Sequence, residues 1–155
     1  MQRPRNHRSR ARRRLGTRGN AAIEFALVLP VFVTMIIGTV DYGIAMTQQM
    51  DVQHAAQAGA EYAALHGYDA SQVSNVVTQA TSLSSITASP APSQGCGCPS
   101  GNAITATDCS ATCPGGASPG TYVTVSAEAT YNTLLPYPGI PNSFTMSGRS
   151  VIRIQ

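Results

Sequence analysis

The 155-residue sequence has no tryptophan and no lysine, three phenylalanines and seven acidic residues. Two of the phenylalanines, Phe25 and Phe32, share one apolar run near the N-terminus, so only Phe144 remains for the rest of the chain. Core material there is thin. A domain of about 90 residues buries a smaller fraction of its surface than a large one, and disulfides or assembly commonly make up the deficit. The length excludes two large domains. Positive charge is also missing from most of the chain. Eight of the ten arginines (Arg3, Arg5, Arg8, Arg10, Arg12, Arg13, Arg14 and Arg18) fall in the first 18 positions. From position 19 onward two arginines, Arg149 and Arg153, stand against seven carboxylates, a balance of −5 beneath the overall +3. That excludes a basic nucleic-acid-binding surface across the fold.

What the chain does have is an apolar run. Phe25 to Val40 is sixteen residues without a charge, preceded by Ala21 to Ile23 before Glu24 and followed, past Asp41, by Gly43 to Met46. A spanning helix needs about 20 mostly apolar residues, a length reached here with Glu24 or Asp41 at the interface. Arginines before the run and net negative charge after it orient a single span with the tail inside. The expected division is a basic cytoplasmic leader at 1–19, the transmembrane part of an N-terminal helix at 20–46 and an extracytoplasmic remainder. The protein is thereby placed in the inner membrane. A cleaved secretory signal competes, with Gly43-Ile44-Ala45 as a weak cleavage site, but the run is longer than a usual h-region and holds Pro30 in its middle. A twin-arginine signal around Arg12-Arg13-Arg14-Leu15 ranks lower. Pro30 is expected to kink the helix, with neighbouring groups satisfying the freed carbonyl.

Within Arg18-Gly19-Asn20-Ala21-Ala22-Ile23-Glu24-Phe25 a glycine closes the basic tail, and a carboxylate follows five residues later inside the apolar segment. An acid at the centre of a span costs about 2.5–3.5 kcal/mol on insertion scales, less near its end, so such a group calls for a partner. The plain reading is an interfacial Glu favoured by the helix N-terminus. Cleavage after Gly19 would instead make Asn20 the N-terminus and set an ammonium near Glu24, on the same helix face or from a neighbouring subunit.

The stretch Arg18-Gly19-Asn20-Ala21-Ala22-Ile23-Glu24-Phe25-Ala26-Leu27-Val28-Leu29-Pro30, with Gln49 and His54-Ala55-Ala56-Gln57-Ala58-Gly59-Ala60 later, resembles the TadE-like family of pseudopilins. The resemblance covers roughly residues 12 to 66. Where the family commonly has an Arg in the Ala-Ala stretch, this chain has Gln57 and Glu61. The resemblance implies a pilin-like α+β fold. It also implies a minor pilin-like subunit of the Flp (tight adherence) pilus assembly and secretion apparatus, matured by a prepilin peptidase between Gly19 and Asn20. Glu24, with Phe25 and Pro30, would then serve recognition and assembly, with other pilin-like subunits, the assembly machinery, the peptidase and membrane lipid as partners.

Beyond the span, Met46, Met50, Ala56, Ala60 and Ala63 recur at helical spacing, so one long helix is expected to continue to His66-Gly67. Residues 21 to 66 would then reach about 69 Å. The small residues Ala55, Ala56, Gly59, Ala60, Ala63 and Ala64 permit close approach to a partner subunit or, preferably, to the chain's own sheet. Val73, Val76, Val77, Ala80 and Leu83 after Ser71 predict a second helix over 71–83, completing a helical region at 47–83. Residues 84–120, rich in Ser, Gly and Pro, read as a long loop holding Cys96, Cys98, Cys109 and Cys113.

An even cysteine count outside the cytoplasm argues for two disulfides. Cys96 with Cys98 is geometrically the poorest pairing, so each is expected to bond to one of Cys109 and Cys113. The spacing fits a four-thiolate zinc site poorly. Over 121–155, Val123, Val125, Ala127, Ala129 and Tyr131 alternate with polar residues as in a half-buried strand. Residues 143–147 and 149–154 are expected to close as a pair around Ser147-Gly148. The fold class is therefore α+β: a long hydrophobic N-terminal helix packed on a small antiparallel sheet with a disulfide-stapled loop.

No catalytic constellation emerges, and neither cofactor nor metal is expected. Asp51 and His54 at i, i+3 read as a solvated helix face, and no glycine-rich phosphate loop follows a strand. The competing function is an unprocessed single-span envelope protein whose disulfide domain binds a ligand. A third reading, in which the arginine tail binds nucleic acid or anionic lipid, is unnecessary once its topological role is granted.

Overall fold

In the computed structural model the described residues are 20–101, 103–136 and 139–154; the basic leader at 1–19 lies outside them. Helix α1 (Asn20–His66) runs unbroken for 47 residues with Pro30 inside it. It is followed by α2 (Ala70–Gln79) and the strands β1 (Ser93–Ser100), β2 (Ala103–Ala106), β3 (Gly120–Asn132) and β4 (Ser143–Arg153). The chain forms two compact units, one ending at Thr39 and the other beginning at Val40, and α1 contributes to both.

Helix α1 stops where a residue with positive φ becomes available. Gly67, at φ 86°, donates its N–H to the Ala63 carbonyl at 3.0 Å, a glycine C-cap. Asp69 then caps α2. Its carboxylate accepts from the Ser71 hydroxyl at 2.6 Å and from the Ser71 and Gln72 N–H groups at 2.9 and 3.1 Å. The second helix therefore starts one residue before the expected Ser71 and ends at Gln79 rather than at 83. Leu83 still packs against the core from the segment that follows.

The strands form one antiparallel sheet in the order β2-β1-β3-β4. On β3 the expected alternation holds: Val123, Val125, Ala127, Ala129 and Tyr131 are buried, facing Val52, Ala55, Ala56, Ala60 and Ala63 of α1 with Val73 and Val77 of α2. The small residues of α1 thus serve the chain's own sheet. A Cβ on Gly59 would come within 2.7 Å of Val77 and 3.0 Å of Val125. Ala64, grouped with this stripe in the sequence, is exposed.

Two expectations are corrected. The long loop over 84–120 contains β1 and β2, because Cys96 and Cys98 sit two apart on one face of a strand and each is bonded across to the following segment. This tertiary tie overrides the low strand propensity of Ser-Gln-Gly-Cys-Gly-Cys-Pro-Ser. Residues 143–154 do not fold back at Ser147-Gly148 either. β4 runs straight through and pairs with β3 from Tyr122↔Arg153 to Asn132↔Ser143. A turn at Gly148 would have forfeited that ladder.

Candidate functional site

In the first unit the apolar window of α1 is long and apolar enough to cross a membrane, and none of it is buried. Phe25 and Phe32 are 67% and 60% exposed, and Glu24 and Pro30 are exposed as well. The hydroxyls that interrupt the run are satisfied locally. Thr34 donates to the Val31 carbonyl and Thr39 to the Met35 carbonyl, each at 2.9 Å, so neither needs an outside partner in an apolar medium. Asn20 is the first helical residue, and Gly19, the other half of the expected processing site, lies outside the described residues.

In the second unit three side chains of α1 fasten it to the sheet and its following loop. Asp41 is the one buried carboxyl group among the described residues. It accepts from the Tyr131 hydroxyl, which also reaches the Asp41 carbonyl at 3.1 Å, and from the Leu134 N–H at 3.3 Å. Gln49 and Gln53, one turn apart, reach β4. Gln49 donates to the Ser147 carbonyl at 2.8 Å, and Gln53 donates to the Arg149 carbonyl at 3.0 Å while accepting from its N–H at 3.4 Å. β4 is an edge strand, and these amides occupy backbone groups that would otherwise be open to another strand. Between them Gly148 lets the two backbones meet: a Cβ there would lie 2.8 Å from the Val52 carbonyl oxygen and 3.0 Å from the Gln53 nitrogen.

The disulfides join Cys96 to Cys109 and Cys98 to Cys113, with Cα separations of 5.0 and 5.5 Å. No cysteine is free. Cys96 lies opposite Thr121 and therefore on the sheet face that carries Val123, and Cys98 and Cys113 are buried. Hydrogen bonding to Ser71 and to the Ser71 and Gln72 amides holds the Asp69 carboxyl below the usual carboxylate range.

The opposite sheet face carries a groove of about 640 Å³ lined by Tyr122, Thr124, Ile104, Val151 and Arg149. Among the described residues no group of three His, Cys, Asp or Glu side chains is placed to hold a metal. Of the sequence-derived site residues, Glu24, Phe25 and Pro30 share one exposed helical segment, and the four cysteines tie β1 to the segment that follows β2. The contacts of Asp41, Gln53 and Gly148 are not apparent from their sequence neighbourhoods. A glycine inside a strand pattern is the available signal for the last, because it marks close backbone approach.

Residues 19–61 match the family model of TadE-like proteins. They are a TadE-like segment. It begins at the expected processing glycine, takes in the exposed apolar helix with Glu24, and extends through Asp41, Gln49 and Gln53, whose side chains fasten α1 to the sheet, to Gly59, which packs against Val77 and Val125. Such a segment is consistent with a pilin-like protein associated with the Tad pilus system. No curated protein and no solved structure matches the chain.

Proposed function

We propose that this chain is a minor pilin-like subunit of a Flp/Tad-type pilus or secretion apparatus, anchored by residues 20–46 with its leader cytoplasmic and its disulfide-bonded unit outside. A prepilin peptidase cuts between Gly19 and Asn20. The subunit assembles through the exposed surface of α1 and is not an enzyme. One observation carries the reading: the TadE-like match falls on a helix whose apolar first half, Glu24 included, is exposed among the described residues. Beyond it Tyr42, Met46 and Met50, at spacings of four, are 67%, 49% and 56% exposed. A carboxylate in an apolar run is stabilised by an ammonium, and processing at Gly19 supplies one on each subunit.

Glu24→Gln tests the assembly role. The variant should insert into the membrane and fold as the parent does, yet fail to co-purify with the other subunits of the apparatus. Normal co-purification sinks the role given to the carboxylate. A second reading, an unprocessed anchored protein that binds through its outer domain, draws its support from the Tyr122 groove.

A further inference from the structure

We propose that the loop joining β3 to β4 is a second membrane contact, in which Leu134, Leu135 and Ile140, with the adjoining Phe144, insert among lipid headgroups and upper acyl chains. The inference rests on the membrane-spanning reading above. These side chains are 55%, 38%, 54% and 40% exposed, although the chain is short of large apolar residues for its core. Four exposed large apolar side chains on one hairpin mark an interaction surface. No charged residue occurs from Ala129 to Gly148, whereas the sheet charges Glu128, Arg149 and Arg153 lie outside that stretch.

The loop is tied to one level of α1. Thr133 closes it, with its N–H donating to the Asn142 carbonyl at 2.9 Å, and the Leu134 N–H donates to Asp41. Asp41 is the residue immediately after the uncharged run Phe25 to Val40. A hairpin bonded to Asp41, which lies near the outer end of the 20–46 anchor, is therefore held within reach of the bilayer surface. Side chains at such a boundary bury about 5–10 Å into the headgroup and acyl zone. Water persists in that zone, so the irregular backbone of the loop keeps hydrogen-bond partners it would lose deeper in the bilayer. Pro136 and Pro141 bring no N–H to satisfy.

The chain has no tryptophan, so single-Trp variants report single sites. Ile140→Trp and Leu135→Trp, each in the full chain, are reconstituted into phosphatidylcholine vesicles brominated either near the head or near the end of the acyl chain. Both are expected to show blue-shifted emission, quenched more by the shallow bromines than by the deep ones. Ala103→Trp, exposed on β2, should stay water-like and unquenched. Phe32→Trp reports the span itself and should be quenched most by the deep bromines. Quenching at Phe32→Trp with none at either loop position overturns the loop contact and leaves the span standing. No quenching at Phe32→Trp removes the membrane reading and the loop contact with it. Blue-shifted loop emission that bromolipids do not quench, and that grows with protein-to-lipid ratio, assigns the loop to a protein neighbour and likewise overturns the proposal.

Discussion

The Tyr131 hydroxyl donates to the carboxyl group of Asp41, ninety positions earlier, at the end of the sheet where the uncharged run of α1 has just finished. Tyr131 is the last buried residue of the β3 stripe, and its ring packs on Phe144 with centroids 5.2 Å apart. A polar pair buried at this point defines how far along α1 the sheet is seated.

Tyr131→Phe keeps the ring and removes the donor. Because Asp41 is buried, its loss is expected to destabilise the outer unit by about 1–3 kcal/mol. Denaturant titration in detergent, followed by circular dichroism, reads this directly, and an unchanged midpoint contradicts the seating role.

Two glycines in opposite surroundings should respond with opposite signs. At Gly148 an added methyl meets backbone atoms of α1 that cannot rotate away, so Gly148→Ala is expected to cost about 1–3 kcal/mol. At Gly43, inside α1 with nothing within 4 Å of a new Cβ, alanine is expected to stabilise by about 0.5–1 kcal/mol. Thermal melts of the two variants should move in opposite directions; a shared direction contradicts the close approach assigned to Gly148.

Much of this arrangement is legible in the residues. The period-2 run of β3 and the small-residue stripe of α1 can be read directly, because burial on one face leaves a pattern in hydrophobicity and size. β1 is not legible that way, since its Gly, Ser and Pro content argues against a strand and its reason for existing is covalent, the pairing of Cys96 and Cys98 across to Cys109 and Cys113. Gly148 reads locally as a turn because the atoms that require it, the Val52 and Gln53 backbone, are nearly a hundred positions away. Asp41 reads as a boundary charge for the same reason: its partner Tyr131 is remote. Glu24 is legible as exceptional from its setting alone, although nothing in its sequence neighbourhood identifies what meets it.

Removing the Cys98–Cys113 bridge as a double alanine variant opens a loop whose ends are 15 positions apart. Chain-entropy reasoning gives a loss of about 3 kcal/mol for a loop of that length. The Cys96–Cys109 bridge closes an overlapping segment, so deleting both should cost less than twice as much. Equilibrium unfolding of the three variants measures this, and strict additivity contradicts a shared constraint.

Asp69 makes the α2 cap pH-dependent. Its folded carboxyl is held below the usual value, first by the Ser71 hydroxyl and then by the Gln72 and Ser71 amides. A depressed folded value contributes stability above the unfolded carboxylate range, and that stability is lost as pH falls through the folded value. The parent should therefore melt above Asp69→Asn at neutral pH, with the difference narrowing as the solution is acidified below the ordinary carboxylate value. A gap that stays constant or widens in acid contradicts the capping role.

Maturation is the most direct point at which to test the pilin-like reading. The measurement is the intact mass and N-terminal sequence of the protein extracted from membranes of cells with and without a prepilin peptidase. A start at Asn20 that depends on the peptidase is the predicted result, with the eight leader arginines removed. The same uncleaved N-terminus in both strains would contradict processing and make the chain a permanent anchor for its disulfide-bonded domain.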